Sequence, residues 1–358
     1  MKKVMHVCEA FGGGVFSFLK DLCQEQVASY DVTILYAKRD QTPDDFENMF
    51  PSNVKFIELK YFKREISPKN ELKARKELKK YFKEIKPDIV HLHSSKAGII
   101  GRITLSSKVK MFYTPHGFSF LKQDDSNLKR MIYRSIEKIA SFSKCTITCC
   151  SKGEYEAARS ITRKAVQVNN GIDINEIESI LKDVKNNKNK KITLTVGTIS
   201  RIGFQKNPKL FNEIALANLD INFIWIGDGE LRSELTSPNI EIKGWLTRDE
   251  AIKELMKCDI FLLPSLWEGL PISLLEAMYL KKICIVSNVV GNRDVIINQE
   301  NGFICNSLEE YTKVLQELNN NTYDINKIVN NAKENVLKEY NSEVMAINYR
   351  RLYEGENL

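Results

Sequence analysis

The sequence predicts an α/β protein made of two Rossmann-like domains, each with a doubly wound parallel sheet. Short runs rich in β-branched residues alternate with longer amphipathic segments along almost the whole chain. This strand–helix alternation is typical of parallel sheets that carry helices on both faces. The alternation occurs as two series, and 358 residues, of which 43% are hydrophobic, can supply two cores of ordinary size.

The first series occupies the N-terminal half of the chain. Segments 15–24 and 70–85 have helical character, and the second of them is the clearest helix in the sequence. Runs with strand character are present at 3–8, 31–37, 54–59, 89–93, 111–114 and 146–150.

The second series follows a stretch at 183–191 that is rich in Lys and Asn and almost free of apolar residues. We place the domain boundary there. We therefore expect an N-terminal domain at 1–182, a C-terminal domain at 183–330 and a C-terminal helix at 331–358. The strands predicted in the second series are 192–196, 222–226, 240–243, 260–263 and 283–287.

The composition favours a globular protein outside the membrane interior. No apolar run approaches the roughly 20 residues that span a bilayer. The N-terminus enters a strand pattern without the apolar stretch and cleavage site of a signal peptide. The eight cysteines include no CxxC pair, which is typical of reduced core thiols rather than of a disulfide frame or a zinc site. We expect a cytoplasmic protein, with peripheral association at the inner face of the cell membrane as an open possibility.

The charge of the chain is unevenly distributed. The formal net charge is +7, but residues 1–170 contain 31 Lys and Arg against 19 Asp and Glu, so the remainder is mildly acidic. This asymmetry favours an anionic partner for the N-terminal half, such as nucleic acid, acidic lipid or a phosphorylated acceptor. The alternative is that lysines merely coat solvated helices.

Residues 265–278 carry the most informative pattern in the chain. Glu268 and Glu276 flank a Gly-Leu-Pro step, and Pro271 suits the first position of a helix because its missing N–H is not needed there. The free amides of a helix's first turn, with the positive end of the dipole, bind anions. A phosphate-binding helix start with a carboxylate on either side suits a nucleotide sugar.

Two further segments suit the same ligand. Gly12, Gly13 and Gly14 stand between a strand and a helix, where backbone amides without side chains can approach a ligand closely. Arg201 and Lys206 follow a predicted strand, at the end where open α/β sheets bind ligands. The alternatives are a tight turn for the glycines and ordinary surface charge for the two cations.

Together these motifs resemble the retaining GT-B glycosyltransferases of family 4. The Glu-x7-Glu block is the most specific match, and the other matches follow in family order over nearly the whole chain. Those matches are 12–14, 91–93, 113–117, 168–173, 196–201 with 205–208, 226–230, 290–294 and 301–303. The resemblance implies a GT-B fold, in which two Rossmann-like domains face a central cleft and the C-terminal helix packs back on the N-terminal domain.

The resemblance also implies roles for individual residues. Arg201 and Lys206 would hold the diphosphate, although Asn207-Pro208 follows the lysine where the family more often has Gly. Glu276 would hold the ribose and Glu268 the transferred sugar. The catalytic residues implied are His116, Glu268, Arg201 and Lys206. The donor-binding positions are Gly13, Gly14, Arg201, Lys206, Gly227, Gly244, Trp245, Glu268, Gly269, Leu270, Pro271 and Glu276, and the acceptor-side positions are His93, Ser94 and Phe118.

The histidines raise the question of a metal. Pro115 and Gly117 predict an exposed turn that points the His116 imidazole out of the sheet end, where the resemblance places the donor sugar. His91 and His93 share one strand face by alternation. No carboxylate or third histidine stands at ligand spacing, and no Asp-x-Asp occurs. We therefore expect no metal and no cofactor, with Arg201 and Lys206 in place of a cation.

Two segments could contact an anionic membrane. The helix predicted at 70–85 belongs to a lysine-rich stretch, 70–86, that also contains Leu72, Leu78, Phe82 and Ile85. It could equally be an ordinary surface helix. Segment 112–144, which combines aromatic, apolar and basic residues, is the other candidate.

The function predicted is transfer of a sugar from a nucleotide sugar, expected to be a UDP-linked hexose or N-acetylhexosamine, with retention of configuration. The acceptor expected is a saccharide or lipid-linked glycan of bacterial surface-polysaccharide or capsule assembly, and no nucleic acid partner is expected. Two alternatives stay open. One is a UDP-sugar 2-epimerase of the same fold, and the other is a non-catalytic basic binding module.

Overall fold

The computed structural model describes residues 1–39, 41–63, 67–105, 108–123, 125–182, 194–320 and 322–356. The chain divides into two compact units. The first unit is Met1–Gly171 with Ser342–Leu358, and the second is Ile172–Asn341. The predicted boundary segment 183–191 lies outside the described residues.

The first unit is built on a seven-stranded sheet in the order β3-β2-β1-β4-β5-β6-β7, with every pairing parallel. Its strands are β1 Lys2–Phe11, β2 Tyr30–Lys38, β3 Lys55–Glu58, β4 Ile89–His93, β5 Lys110–Thr114, β6 Cys145–Cys149 and β7 Ala165–Gln167. Its helices are α1 Gly13–Gln26, α2 Pro68–Ile85, α3 Ser95–Thr104, α4 Asn127–Ala140, α5 Lys152–Arg159 and, near the C-terminus, α12 Ser342–Glu354.

The second unit is built on a six-stranded parallel sheet in the order β10-β9-β8-β11-β12-β13. Its strands are β8 Thr195–Ile199, β9 Asn222–Ile226, β10 Ile240–Gly244, β11 Ile260–Leu263, β12 Ile283–Ser287 and β13 Phe303–Cys305. Its helices are α6 Ile174–Lys182, α7 Pro208–Leu216, α8 Arg248–Met256, α9 Ile272–Tyr279, α10 Leu308–Asn319 and α11 Ile325–Glu339.

The predicted strands are confirmed, with ends that differ by at most three residues. Sequence reasoning missed β7 and β13, which have three residues each and are too short to show an alternating pattern. The predicted helices at 15–24 and 70–85 correspond to α1 and α2.

Central strands of the first sheet are buried on both faces. Val4 belongs to one hydrophobic cluster and Met5 to another, because successive side chains of β1 point to opposite sides of the sheet. Tyr349 and Tyr353 of α12 pack in the same cluster as Val4. The C-terminal helix is therefore part of the core of the first unit.

The unit boundaries differ from those we expected. Helix α6 belongs to the second unit, because Ile177 and Ile180 are buried and Glu176 pairs with Arg248 of α8. The chain therefore changes units after Gly171 rather than at 182. Residues 331–341 also stay in the second unit, since α11 packs against α9. Only the segment from Ser342 onward belongs to the first unit.

Candidate functional site

The loop between β11 and α9 in the second unit carries both glutamates of the Glu-x7-Glu block. Pro271 is the residue that precedes α9, with φ −73° and ψ 121°, so our prediction that it is the first helical residue was wrong by one position. Its extended ψ keeps it outside the helix, while its carbonyl accepts from the Leu274 N–H at 3.2 Å. The first turn of α9 still follows the Gly-Leu-Pro step directly.

A neighbouring turn supports this loop. Gly291 has φ +86°, and a Cβ on it would lie 2.5 Å from the Gly269 carbonyl oxygen. The Gly291 N–H donates to Asp294 Oδ2 at 3.1 Å, which holds the turn. Only glycine fits at position 291, because a side chain would push the Gly269 backbone away.

Glu268 is buried beside the cation that we assigned to the diphosphate. Lys206 Nζ lies 2.6 Å from Glu268 Oε1, and the Gln205 amide donates to Glu268 Oε2 at 3.3 Å. Gln205 also donates to the Trp267 carbonyl oxygen at 2.8 Å. The segment after β8 and the loop before α9 thus form one polar cluster. Sequence reasoning assigned no role to Gln205.

Glu276 lies on α9 and is also buried. Arg248 Nη2 lies 3.0 Å from Glu276 Oε1, and Arg248 Nε lies 2.9 Å from Glu176 Oε2. One guanidinium therefore connects α9 with α6. Arg248 was missed by sequence reasoning, because the capping box of Thr247 and Glu250 marks the start of α8 but gives no sign of this pairing.

Arg201 does not contact Lys206 or Glu268 among the contacts described. Its guanidinium pairs instead with Glu230, with Nη2 2.8 Å from Oε2, and both side chains are exposed. A Cβ on Gly227 would lie 2.1 Å from the Ser200 carbonyl oxygen, so the Gly227 turn packs directly against the Arg201 segment. The structure thus places Arg201 at the carboxyl end of β8 beside the glycine turn that follows β9.

Gly244 and Trp245 lie at the same edge of the sheet. Gly244 forms an isolated antiparallel bridge with Gly227, and its φ of +72° turns the chain there. The Trp245 side chain that follows is 59% exposed. A flat aromatic ring in the open beside two glycine turns can stack against a nucleobase. Leu270, in contrast, is buried and supports the loop from inside.

The glycine loop of the first unit opens α1. Gly12 precedes the helix and Gly13 has φ +53°, a conformation that favours glycine. A Cβ on Gly14 would meet no described atom within 4 Å. The first turn of α1 contains no acidic residue and no side chain that caps it. Its free N–H groups are suited to an anionic ligand.

His116 does not point out of the sheet end, as we predicted. It has φ +53°, which turns its side chain inward, where Nε2 lies 3.1 Å from His93 Nδ1. Its ring packs edge-on against Phe18 with centroids 4.7 Å apart. Burial lowers the pKa of His116 to about 3, so the imidazole is neutral at neutral pH. The residue as a whole is half-buried.

Glu154 holds the backbone of this turn and was also missed. Its carboxylate accepts from the Gly117 N–H at 2.7 Å and from the Cys150 N–H at 2.8 Å. Glu154 is fully buried in the first turn of α5. The spacing of Ser151 and Glu154 resembles a capping box, but this carboxylate accepts from a turn 37 residues away along the chain.

The acceptor-side residues need a correction. The side chains of His93 and Phe118 are fully buried, Phe118 against Tyr113 and Phe120. They support the turn around His116 and do not offer a surface to an acceptor. Ser94 precedes α3 with φ +72° and is also almost entirely buried. His93 is the last residue of the central strand β4, and Ser94 and Phe118 lie in the segments that follow β4 and β5, so all three residues are in the core.

A third histidine joins His91 and His93, which the spacing in the sequence did not reveal. His6 of β1 lies opposite His91 of β4 in the parallel register, and ligand atoms of the three rings lie within 4.8 Å of one another. His6 Nδ1 already lies 3.0 Å from His93 Nε2. Burial lowers the pKa of all three, that of His6 to about 4.

Two further predictions concern the state of the cysteines and the presence of membrane-spanning helices. All eight cysteines are buried free thiols, as expected, and burial raises the pKa of Cys145 to about 12. In the part of the chain that the structure describes, no helix has both the length and the apolar character needed to cross a bilayer.

Comparison with known proteins shows which family these features belong to. Residues 12–176 match the family model of Glycosyltransferase Family 4, and residues 176–335 match that of Glycosyl transferases group 1. The chain is 31% identical over 313 residues to an Escherichia coli UDP-Gal:alpha-D-GlcNAc-diphosphoundecaprenol alpha-1,3-galactosyltransferase, which covers 78% of each chain. It is 23% identical over 374 residues, 96% of each chain, to the Campylobacter jejuni N,N'-diacetylbacillosaminyl-diphospho-undecaprenol alpha-1,3-N-acetylgalactosaminyltransferase.

Solved structures share the fold at low sequence identity. Sucrose-phosphate synthase from Thermosynechococcus elongatus aligns with a TM-score of 0.79 and 15% identity over 99% of this chain and 98% of its own. Anabaena HepE in complex with UDP-glucose aligns with a TM-score of 0.77 and 16% identity over 99% of this chain and all of its own. The two parallel-sheet units form the GT-B fold that the motifs predicted, and the chain belongs to the family 4 glycosyltransferases.

Proposed function

We propose that this glycosyltransferase moves a sugar from a UDP-sugar to a glycan carried on a polyprenyl diphosphate, with retention of anomeric configuration and without a metal. The observation that carries the donor assignment is the polar cluster of the buried Glu268 with the half-buried Lys206 and Gln205 beside the start of α9. In this cluster the cation can pair with the diphosphate and the carboxylate can accept a hydrogen bond from a sugar hydroxyl. The first turn of the helix can donate hydrogen bonds to a phosphate oxygen.

Each part of a UDP-sugar has a matching group in the second unit. The diphosphate would contact Lys206 and Arg201, whose charges offset the negative charge on the leaving UDP. The ribose hydroxyls would donate to Glu276, which Arg248 orients at 3.0 Å. The uracil would lie against the exposed Trp245 ring near the bridge of Gly227 and Gly244.

A front-face mechanism needs little else from the protein. The departing phosphate oxygen takes the proton of the attacking acceptor hydroxyl, so that the new glycosidic bond forms on the face that the leaving group vacates. Glu268 would hold the transferred sugar, and a neutral His116 would accept a hydrogen bond from a sugar hydroxyl. The E. coli and C. jejuni relatives are named for diphosphoundecaprenol-linked acceptors, which supports an acceptor of this class.

The acceptor's lipid would bring the enzyme to a membrane, and α4 is the surface best suited to contact it. Leu128, Met131, Ile132 and Ile139 are exposed on α4, Ile139 by 67%, and Phe142, in the turn that follows the helix, is 80% exposed. The exposed cations Lys129, Arg134, Lys138 and Lys144 lie among them. Exposed apolar and basic side chains on one helix are typical of binding to anionic bilayers.

Helix α2, the first candidate from the sequence, is less suited to this role. Its apolar face packs inward, with Ala74 and Leu78 fully buried and Phe82 and Ile85 partly buried. Leu72 is the one large apolar side chain that α2 leaves exposed among the residues described. Its lysines therefore surround an ordinary surface helix.

The proposal is tested by supplying UDP-sugars one at a time with a synthetic polyprenyl-diphosphate-linked sugar. We expect UDP release that requires the acceptor, and a product whose new linkage has the anomeric configuration of the donor by NMR. An epimerase would instead release the free 2-epimer and UDP without acceptor. A binding module would release no UDP at all, and either result would overturn the proposal.

A further inference from the structure

All four histidines of the chain meet in one group in the first unit, and three of them are fully buried. His6 lies on β1 and His91 and His93 on β4, and these two strands are neighbours in the sheet. His116 follows β5, which is the next strand. The parallel register pairs His6 with His91, so that alternation places three rings on one face of the sheet.

Three of these histidines form a linear series of hydrogen bonds that begins at Gln26. Gln26 Oε1 lies 2.8 Å from His6 Nε2, and His6 Nδ1 lies 3.0 Å from His93 Nε2. His93 Nδ1 then lies 3.1 Å from His116 Nε2. We call Gln26, His6, His93 and His116 the histidine series. His91 lies outside it and contacts Tyr353 and Thr114 instead.

The chemistry of the groups sets the order of protons along the series. An amide oxygen only accepts, so His6 Nε2 carries the proton and donates to Gln26. A neutral imidazole has one N–H, so His6 Nδ1 accepts from His93 Nε2, and His93 Nδ1 accepts from His116 Nε2. Each ring must be neutral for this order to hold, and burial lowers the pKa of His6 to about 4 and of His116 to about 3.

We propose that Gln26, His6 and His93 are positioning residues that hold His116 in the tautomer protonated at Nε2. His116 then presents an unprotonated Nδ1, which has no hydrogen-bond partner among the described residues, as an acceptor for a ligand hydroxyl. Which nitrogen of a histidine carries the proton is set by the partner of the other nitrogen. The identity of that ligand as the sugar of the donor rests on the proposed function, whereas the tautomer does not.

The tautomer can be measured directly, because the chain has only four histidines. The full-length protein with ¹⁵N-labelled histidine is examined by long-range ¹H–¹⁵N correlation at neutral pH, with assignment by single His→Gln variants. We expect the pattern of the Nε2–H tautomer for His6, His93 and His116. A His116 that is protonated at Nδ1, or doubly protonated at neutral pH, would overturn the proposal.

Variants of the terminal acceptor test whether the series acts as a unit. Gln26→Leu removes the acceptor, so the ¹⁵N shifts of His93 and His116 should move toward mixed tautomers. The kcat should fall roughly tenfold, as for the loss of one hydrogen bond, with UDP affinity unchanged.

Tyr353→Phe is the matched control. It removes a hydroxyl that lies 2.6 Å from His91 Nδ1 and 3.4 Å from Gln26 Nε2, in the same core but outside the series. It should alter His91 and leave His116 as in the wild type. If Gln26→Leu leaves His93 and His116 unchanged, the series does not control His116. A protein that shows the expected tautomers but releases no UDP would overturn the proposed function alone.

Discussion

Lys206 Nζ lies 2.6 Å from Glu268 Oε1, and both side chains are largely buried in the second unit. The cation assigned to the donor diphosphate is therefore already paired with the carboxylate assigned to the transferred sugar. A bound UDP-sugar would add its phosphate charge to this pair rather than meet an isolated lysine. The two residues must then act together, although they lie 62 positions apart in the chain.

Loss of either diphosphate cation should reduce turnover strongly. Lys206→Ala and Arg201→Ala should each lower kcat at least about 100-fold, because each removes a positioned charge that stabilises the leaving UDP. UDP release in the presence of acceptor measures this, with circular dichroism to show that the fold is intact. Arg232→Ala is the control, since Arg232 is an exposed arginine of the same unit that pairs with Asp228. Full activity of either test variant would remove its assigned role.

The ion pair also predicts that the effects of Lys206 and Glu268 are not additive. Glu268→Gln should weaken catalysis more than it weakens UDP binding. In the Lys206→Ala background the same change should cost less, because the pair no longer exists. A double-mutant cycle on kcat/KM measures the coupling. If the fold loss in kcat/KM of the double variant equals the product of the losses of the two single variants, the two residues act independently. That result would contradict a shared role.

Glu276 and Glu176 contact the same arginine and can be separated by substitution. Glu276→Gln should weaken binding of UDP alone, measured by calorimetry, because a carboxylate that accepts from ribose hydroxyls is lost. Glu176→Gln makes the same chemical change at the other partner of Arg248 and should leave UDP affinity nearly unchanged. Equal losses in both variants would show that Arg248, rather than direct contact with ribose, controls the site.

We predict that activity does not depend on a divalent metal. Arg201 and Lys206 provide the positive charge that a metal ion otherwise supplies to a leaving diphosphate. UDP release should therefore continue in excess EDTA, at the rate measured with added Mg²⁺. Loss of activity on chelation that Mn²⁺ or Mg²⁺ restores would contradict this prediction.

Binding to anionic membranes should depend on α4 and not on α2. Replacing Arg134 and Lys138 of α4, together with Lys144 just after the helix, by Gln should weaken sedimentation with phosphatidylglycerol vesicles by roughly 100-fold at moderate salt. Cations near an anionic surface act together. Replacing Lys76, Lys79 and Lys83 on α2 changes the net charge equally and is the matched control. Equal losses of vesicle binding in the two variants would show that only net charge matters. UDP binding should be unaffected in both variants.

Much of the fold could be predicted because it depends on local periodicity. The β-branched runs marked strands such as β4 and β11 to within a few residues, and the lysine-rich helix α2 was found at its observed position. The arrangement of functional residues that lie close together in the chain could be predicted equally well. Glu268 and Glu276 flank a helix start wherever the rest of the unit places them, and together with the order of the other motifs they were sufficient to identify the family.

The tertiary structure alone decided which groups face one another. Arg248 contacts Glu276, Glu154 holds the turn at Gly117, and His6 joins His93, each across a large separation in the chain. No spacing in the sequence encodes these contacts, because they follow from the order of parallel strands and from the face on which each side chain lies. The inward direction of the His116 ring was also decided by the tertiary structure. It depends on the backbone conformation of His116 and on the residues that the ring contacts, and the flanking proline and glycine do not determine it.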